Sequence, residues 1–284
     1  MKTFYKDNKK KNIKLIIFDV DGTLVDDDQK LCLKTIKVIQ SLQRKNVLVS
    51  LATGKIFPSV RQVVDNLGIQ APLILSNGAL LQQPNREIIF SSYLKREILQ
   101  TILDNYRGYD ADLALFTHAN IYIKKETYNT NHIRICGEKM EEIGSWVNIE
   151  DQFPTVCKAL LVNRKDEKEM LRLKELLVNK LGDKVTLSAG TSNTIEVMSA
   201  GVSKGTGLGD LSKFLNIKLE NVMAFGDQIN DISMLEIAGI SVAVDNAIDE
   251  VKKMVDVVIK SNNDSGPAEF LEEWASSNKM VLEL

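Results

Sequence analysis

The feature that most limits how this chain can fold is a series of short apolar runs, each followed directly by polar or acidic residues. Amphipathic stretches of helical length separate the runs, for example at residues 59–67 and 232–238. Strands that alternate with helices in this way predict βαβ units and a parallel sheet, in which ligands bind beyond the carboxyl ends of the strands. We therefore expect the early and late runs to form one sheet. The runs lie at residues 15–18, 47–52, 73–75, 222–225 and 241–244.

The middle of the chain has a different pattern. A helix is predicted at 95–106 and is followed by two short strands, and a second helix at 167–181 is followed by two strands in the same order. This texture indicates an α+β insertion within an α/β fold that has a Rossmann-like parallel-sheet core. The polar arm is expected to be dispensable for activity. The predicted division is a polar N-terminal arm at 1–12, a first core part at 13–82, the insertion at 83–192 and a second core part at 193–284.

The composition limits which classes of partner and which cellular compartment we expect for the protein. The formal net charge of −2 supplies no field that would hold a polyanion, so no nucleic-acid partner is expected. No apolar run reaches the ~18 residues that span a bilayer, and residues 1–14 lack the apolar segment of a signal peptide. The cysteines, Cys32, Cys136 and Cys157, are odd in number and scattered, which argues against a disulfide framework and fits a reducing cytoplasm.

Carboxylates are the main candidates for chemistry, because His118 and His132 are the only histidines. Asp19 and Asp21 follow the first apolar run and share one face while the backbone stays extended, and Gly22 then permits a sharp turn. The alternative interpretation is a turn in which these residues serve only the backbone.

Two further acids, Asp227 and Asp231, follow the run at 222–225. Asp231 alone has an alternative interpretation as a helix cap or a first-turn acid. Together with Asp19 and Asp21, however, these acids would repel one another at neighbouring strand ends unless a cation lay among them. Because oxygen ligands favour a hard ion, the sequence predicts a Mg²⁺ site.

Groups that could bind an anion follow other runs. Thr53 offers a hydroxyl and Gly54 an approachable backbone N–H. Lys204 and Gly205 open a predicted helix, where an ammonium and the terminal amides could meet a phosphoryl group. A plain strand residue at Thr53 and a solvated surface lysine at Lys204 are the alternatives. A metal site beside anion donors indicates phosphate chemistry.

Four motifs occur in a fixed order: DVDGT begins at Asp19, ATGK at Ala52, SKG at Ser203 and GDQIND at Gly226. This order resembles that of the haloacid dehalogenase (HAD) superfamily, and the insertion between the second and third motifs resembles the Cof-type phosphatases with a large C2 (type IIB) cap. The resemblance covers essentially the whole chain after the polar arm and includes the sequences SNGA and EVMSAGVSKGTGL. One departure is Lys55, where the family commonly has Arg, and it puts a peripheral contact in doubt.

The resemblance implies a Mg²⁺-dependent phosphatase that acts through an aspartyl-phosphate intermediate. Asp19 would be the nucleophile, and Asp21 would protonate the leaving alcohol and then act as the base for water. The implied metal ligands are Asp19, the Asp21 main-chain carbonyl and Asp227, with Asp231 as a ligand or as support for the metal waters or for Lys204. The residues implied to bind phosphate or substrate are Thr53, Gly54, Lys204 and Asn230.

The implied partner is a small-molecule phosphate ester, such as a sugar phosphate or a phosphorylated cofactor, and residues 188–193 of the cap are a candidate specificity loop. A phosphomutase and a catalytically idle phosphometabolite-binding protein of the same superfamily are alternatives. The GxSxG pattern at 201–205 also matches the nucleophile elbow of serine hydrolases, but both histidines precede Ser203, so that triad cannot form in the order the fold requires. A monomer or weak homodimer without a membrane partner is expected.

Overall fold

The structure of the protein, a computed structural model, describes residues 12–188 and 192–283. The predicted polar arm up to residue 11 and residues 189–191 of the predicted specificity loop lie outside these ranges. The strands in chain order are β1 (Leu15–Phe18), β2 (Leu48–Leu51), β3 (Leu73–Leu75), β4 (Leu80–Gln82), β5 (Ile88–Ser91), β6 (Asp112–Thr117), β7 (Ile121–Ile123), β8 (Glu141–Glu142), β9 (Val156–Val162), β10 (Val185–Ser188), β11 (Thr194–Ser199), β12 (Val222–Gly226), β13 (Ile240–Val244) and β14 (Val257–Ile259). The α-helices are α1 (Leu33–Arg44), α2 (Phe57–Leu67), α3 (Arg96–Asn105), α4 (Asn131–Ile135), α5 (Glu167–Leu181), α6 (Lys204–Leu215), α7 (Ile232–Leu235), α8 (Asp249–Met254) and α9 (Gly266–Ser277).

A parallel sheet joins the early and late parts of the chain. Its strand order is β14-β13-β12-β1-β2, so β1 pairs with β2 on one side and with β12 on the other. Every residue of β1 and β12 is buried, as expected for strands that helices cover on both faces. Helix α1, for example, buries Val38, Ile39 and Leu42 along one stripe and packs against α9. The prediction that early and late runs form one sheet is confirmed for the runs at 15–18, 47–52, 222–225 and 241–244, whereas the run at 73–75 belongs to a second sheet.

A three-stranded antiparallel sheet with the order β3-β4-β5 continues this core, because Ala52, just after β2, bridges Ile74 in β3. The sequence pattern did not predict β4 or β5, which span three and four residues. Strands this short carry too little periodicity to be recognised without their pairing partners.

A six-stranded sheet with the order β10-β11-β9-β6-β7-β8 forms the centre of the inserted domain, hereafter the cap. Side chains alternate along its strands. Leu113 and Leu115 of β6 belong to a hydrophobic cluster that includes residues of α3 and α5, whereas Ala114 and Phe116 belong to the cluster of the parallel core. One face of the cap sheet therefore carries its helices, and the other, hereafter the cap face, is turned toward the core.

Strand pairing bears on the limits of the cap. Strand β5 lies within the predicted insertion but pairs with β4, and β11 lies within the predicted second core part but pairs with β9. We therefore propose that the cap begins after Ser91 and ends at Ser199.

Two segments differ in detail from the sequence expectation. The helix predicted at 232–238 ends at Leu235, because the chain turns so that Gly239 can donate its N–H to the Leu219 carbonyl. Residues 137–154, which have no readable pattern, contribute β8 and much of the 3-10 segment Trp146–Thr155. Within the described ranges, no helix combines the length and the apolarity that a membrane crossing needs.

Candidate active site

The turn that follows β1 carries Asp19 and Asp21 to the carboxyl edge of the parallel sheet. The Asp19 N–H still continues the β1–β12 ladder by donating to the Phe225 carbonyl at 2.9 Å, and its side chain is buried. Gly22 adopts a φ of +75°, and a Cβ there would lie 2.7 Å from Asp227 Oδ2. Glycine is therefore required both by the backbone conformation and by the close approach of the second acidic loop.

Lys204 lies beneath this edge and bridges two of the acids. Its Nζ is 2.6 Å from Asp19 Oδ1 and 2.6 Å from Asp231 Oδ1, and the side chain is only 1% exposed. Although burial opposes the charged form, the carboxylates of Asp19 and Asp231 hold the pKa of Lys204 well above its ordinary value. The alternative of a solvated surface lysine is therefore excluded.

The start of α6 fixes the position of this lysine. Ser203 caps the helix by accepting the Thr206 N–H at 3.1 Å, so its hydroxyl acts as a helix cap instead of as the nucleophile of a serine hydrolase. Gly205 packs directly against α7, where a Cβ would lie 2.3 Å from the Ser233 carbonyl oxygen. A larger residue at this position would push α6, and Lys204 with it, away from the acids.

The acidic cluster itself comprises Asp19, Asp227 and Asp231, whose nearest oxygens all lie within 4.8 Å of one another. Asp231 accepts three hydrogen bonds: Oδ1 accepts from Lys204, and Oδ2 accepts the N–H groups of residues 227 and 228 at 2.9 Å each. Asp227 accepts from Thr23 Oγ1 at 2.7 Å. Asp19 and Asp227 thus retain lone pairs for another ligand, whereas Asp231 supports Lys204 and the loop.

The electrostatics of the cluster favour a cation. Burial, and then the charge of the neighbouring acids, raises the pKa of both Asp19 and Asp227, and the opposing charge of Lys204 does not cancel this effect. Three buried carboxylates beside one ammonium leave uncompensated negative charge. A set of oxygen ligands in this setting fits a hard divalent ion such as Mg²⁺.

The loop after β2 contributes Thr53, Gly54 and Lys55. The Lys55 side chain is buried, and its Nζ is 2.6 Å from Asp21 Oδ1 and 2.8 Å from Gln29 Oε1. The expectation that the residue at position 55 makes only a peripheral contact is therefore wrong, because the ammonium binds the predicted general acid directly.

Asn230 reaches the same edge from the loop after β12. Its Nδ2 donates to Asn77 Oδ1 at 3.1 Å, and Asn77 Nδ2 donates to Glu196 Oε2 of the cap at 2.7 Å. Asn77 has a φ of +57°, in the left-handed region that asparagine tolerates better than most residues. The SNGA segment thus links a predicted substrate-binding residue to the cap.

A cavity of about 430 Å³ separates this edge from the cap face. All eight predicted site residues lie together, since six line the cavity and Lys204 and Asp231 lie beneath it, bonded as described above. From the core, the cavity is lined by the predicted residues Asp19, Asp21, Thr53, Gly54, Asp227 and Asn230. From the cap, it is lined by Phe116, Glu138, Lys158, Leu160, Thr194 and Glu196, among others.

The cap residues were missed by sequence reasoning. Lys158 donates to the Gly54 carbonyl at 2.8 Å and to Glu196 Oε1 at 2.7 Å, and its Nζ lies 4.2 Å from the centre of the Phe116 ring. The available signal was a single lysine within the otherwise apolar run VCKALLV. Of the predicted specificity loop, Ser188 lines a smaller cavity of about 190 Å³ next to Lys204, and residues 189–191 lie outside the described ranges.

Comparison with known proteins gives a consistent result. The chain matches the haloacid dehalogenase-like hydrolases over residues 16–271. A 5-amino-6-(5-phospho-D-ribitylamino)uracil phosphatase of Bacillus subtilis is 28% identical over 264 residues, which are 93% of this chain and 96% of the relative. An HMP-PP phosphatase of Serratia proteamaculans is 25% identical over 270 residues, which are 93% of this chain and 96% of that protein. The structure of a haloacid dehalogenase-like hydrolase from Bacteroides thetaiotaomicron shares the fold, with a TM-score of 0.84 at 22% identity over 92% of this chain and 99% of that one.

Proposed function

Because the chain belongs to the haloacid dehalogenase-like hydrolases, we propose that it transfers the phosphoryl group of a small phosphate monoester first to Asp19 and then to water. The protein is a phosphatase of the Cof type, as the order of its motifs predicted. The observation that carries the mechanism is the buried Lys204 bridge, which holds Asp19 at the floor of the cavity with its nucleophilic carboxylate beside further carboxylates.

Asp19 and Asp21 perform the two halves of the reaction. A carboxylate oxygen of Asp19 attacks phosphorus, and the bond between phosphorus and the leaving oxygen breaks. Asp21 gives its proton to that oxygen and later removes a proton from the water that attacks the aspartyl-phosphate, which restores Asp19 and releases inorganic phosphate. Lys55 holds one oxygen of Asp21, and this contact orients the other toward the leaving group.

Neighbouring donors stabilise the oxygens of the transferring group. In this proposal these donors are the Thr53 hydroxyl and the Gly54 N–H, which belong to residues that line the cavity, the Lys204 ammonium beside Asp19, and Asn230, which Asn77 holds in place. Donors that are fixed before the reaction starts need no reorganisation as charge develops.

Mg²⁺ would be held by the Asp19 carboxylate, the Asp21 main-chain carbonyl and Asp227, with Asp231 supporting Lys204 and the loop. When bound, the ion supplies the positive charge that offsets the repulsion between a carboxylate and a phosphate dianion. The raised pKa of Asp19 and Asp227 supports this assignment, because a carboxyl group that resists ionisation gains most from a nearby cation.

The substrate is a sugar phosphate or a phosphorylated cofactor in this proposal. One relative is named for a ribitylaminouracil phosphate and another for HMP-PP, so the leaving groups within this set of proteins are chemically diverse. We further propose that the protein is a monomer or weak homodimer. We also propose that it lies in the reducing cytoplasm, since its three cysteines are free thiols.

The test is Asp19→Asn, which is nearly isosteric but provides a much poorer nucleophile and metal ligand. With Mg²⁺ and p-nitrophenyl phosphate, we expect phosphate release by the wild type and none by the variant, while the circular dichroism spectra of the two proteins coincide. Turnover of the variant at the wild-type rate would overturn the mechanism. Transfer of the phosphoryl group to an added sugar hydroxyl, in preference to water, would instead favour the phosphomutase.

A further inference from the structure

The cap face supplies the wall against which the leaving group of a substrate lies. Register brings its residues together: Phe116 of β6 pairs with Lys158 of β9, and Leu160 of β9 pairs with Glu196 of β11. These four side chains share one face of the sheet because each strand alternates with a period of two. Much of this wall is apolar, and its charged groups are few.

The positive charges around the cavity already have partners. Lys158 is directed at the Gly54 carbonyl, Glu196 and the Phe116 ring, which uses the three directions of its ammonium. Lys55 is held by Asp21 and Gln29. Among the described residues that line the cavity, these two lysines are the cations, and each already has a carboxylate as its counter-ion, Asp21 for Lys55 and Glu196 for Lys158.

Glu138, in contrast to these lysines, has a charged group that is only partly bonded. It lies between α4 and β8, is 8% exposed and lines the cavity, yet its Oε1 is buried and has no hydrogen-bond partner among the described residues. The charges that face it are Lys158, Lys55 and Asp21, none of which bonds to that oxygen. A buried acceptor left without a donor is costly, and native proteins keep few of them without a functional reason.

On the basis of the function proposed above, we propose that Glu138 is a specificity-determining residue, which selects phosphate monoesters whose leaving group is uncharged and carries a hydroxyl or amino hydrogen-bond donor. The donor satisfies the free oxygen of Glu138, while the carbon frame packs against Phe116 and Leu160. A second phosphate or a carboxylate on the leaving group meets Glu138 and Glu196 and finds no free cation. Diphosphates and phosphorylated acids are therefore poor substrates.

The first test compares two substrates that differ at one group. Glycerol 3-phosphate and 3-phosphoglycerate have the same three-carbon frame, with a CH₂OH group in one and a carboxylate in the other. With Mg²⁺ at pH 8, we expect kcat/KM of the wild type to be at least about tenfold higher for glycerol 3-phosphate, because like charges repel across a desolvated contact. Equal values, or a preference for 3-phosphoglycerate, would overturn the proposal.

The second test assigns the preference to Glu138. Glu138→Gln keeps the shape and removes the charge, so the ratio of the two kcat/KM values should fall by about tenfold. Glu141→Gln, at an exposed position on β8, is the matched control and should leave the ratio unchanged.

An unchanged ratio in Glu138→Gln, with p-nitrophenyl phosphate still hydrolysed, would overturn the role of Glu138 alone. Failure of the wild type to hydrolyse p-nitrophenyl phosphate would instead overturn the proposed function. The two failures are therefore distinguishable.

Discussion

At the scale of single residues, Asp21 lines the cavity and is the proposed general acid of the reaction. Its side chain is 41% exposed, and Lys55 holds one of its oxygens. If Asp21 protonates the leaving oxygen, Asp21→Asn slows the hydrolysis of glucose 6-phosphate by about 10² to 10⁴ fold, and that of p-nitrophenyl phosphate far less, since nitrophenolate leaves without a proton. The burst phase of each ester measures this step separately from dephosphorylation. Equal losses in the two bursts would exclude Asp21 as the general acid.

Glu138 makes stability depend on pH in a defined direction. Burial raises the pKa of this carboxyl from its ordinary value of 4.5 to about 7, against the opposing charges of Lys158 and Lys55 and with a smaller contribution from Asp21. The folded protein therefore holds the proton more tightly than the unfolded chain does. The resulting stabilisation is fully present below pH 4.5 and is lost as the pH rises through 7.

The side chain introduced by Glu138→Gln does not titrate, so the stability of the variant relative to the wild type increases as the pH rises. We expect its free energy of unfolding, relative to the wild type, to increase by up to about 3 kcal/mol between pH 4.5 and pH 8, as measured by urea denaturation. The Ser59 hydrogen bond lowers the pKa of Glu138 and is already part of the wild-type value, and the pKa of Cys136 is raised further above this pH range by burial. A difference that stays constant with pH would contradict the assigned cause.

Residues of the site differ in how far the sequence reveals them. Asp19 and Asp227 could be predicted because each directly follows an apolar strand, so local order alone places it at the sheet edge. Glu138 could not, because it lies in a segment without a pattern and acquires its role only where the cap meets the core. Lys55 was placed correctly but undervalued, since its bond to Asp21 depends on the turn of another loop.

At the scale of the elements, the ion pair of Lys158 and Glu196 joins β9 to β11 and both strands to the core loops. The two side chains are only 4% and 14% exposed. Glu196→Gln leaves a buried ammonium without its counter-ion, so we expect it to lower the free energy of unfolding by about 3 kcal/mol.

The matched control is Glu126→Gln, which breaks the ion pair with Arg134, where the side chains are 36% and 57% exposed. Solvent screens such pairs, so the expected loss is much smaller than that of Glu196→Gln. Denaturant titration of both variants measures the two values. Equal losses would show that burial does not increase the contribution of the Lys158–Glu196 pair to stability.

The elements were predictable where their pattern is long. Helix α5 has the predicted limits, because its apolar spacing repeats over fifteen residues and Asp166 caps its start. Strand β8, with two residues, and the hairpin of β4 and β5 exist through their pairing partners, which no local pattern specifies. These strands could not be predicted because two to four residues carry too little periodicity to be recognised.

At the scale of the whole molecule, the proposed metal site is assembled from distant parts of the chain, since Thr23 and Asp227 bond across 204 residues of sequence. An ion bound only by the folded state stabilises that state by mass action. At about one hundred times its Kd, Mg²⁺ should raise the free energy of unfolding by about 2.7 kcal/mol, and a chelator should reverse this gain.

Asp227→Asn should lose most of the response to Mg²⁺. Asp245→Asn should keep it, because Asp245 follows the neighbouring strand but lies outside the acidic cluster. Thermal unfolding with and without Mg²⁺ makes the comparison. Equal responses of the two variants would place the ion elsewhere.

The architecture of the whole molecule could be predicted from the order of the motifs, because three motifs that follow strands and one that begins a helix specify which loops meet at one edge of the sheet. The way in which the cap face meets that edge did not follow. It depends on the register of β6, β9 and β11, which decides that Phe116 and Lys158, and not their neighbours, point toward the core.

The alternation of side chains on the cap sheet also bears on how a protein of this kind can diverge. Leu113 and Leu115 hold the cap together from one face, whereas Phe116, Leu160 and Thr194 meet the cavity from the other. A library randomised at the second set explores new leaving groups without touching the nucleophile or the packing of the cap helices. Substitutions on the cap face can then change the range of substrates while the residues that carry out the reaction stay the same.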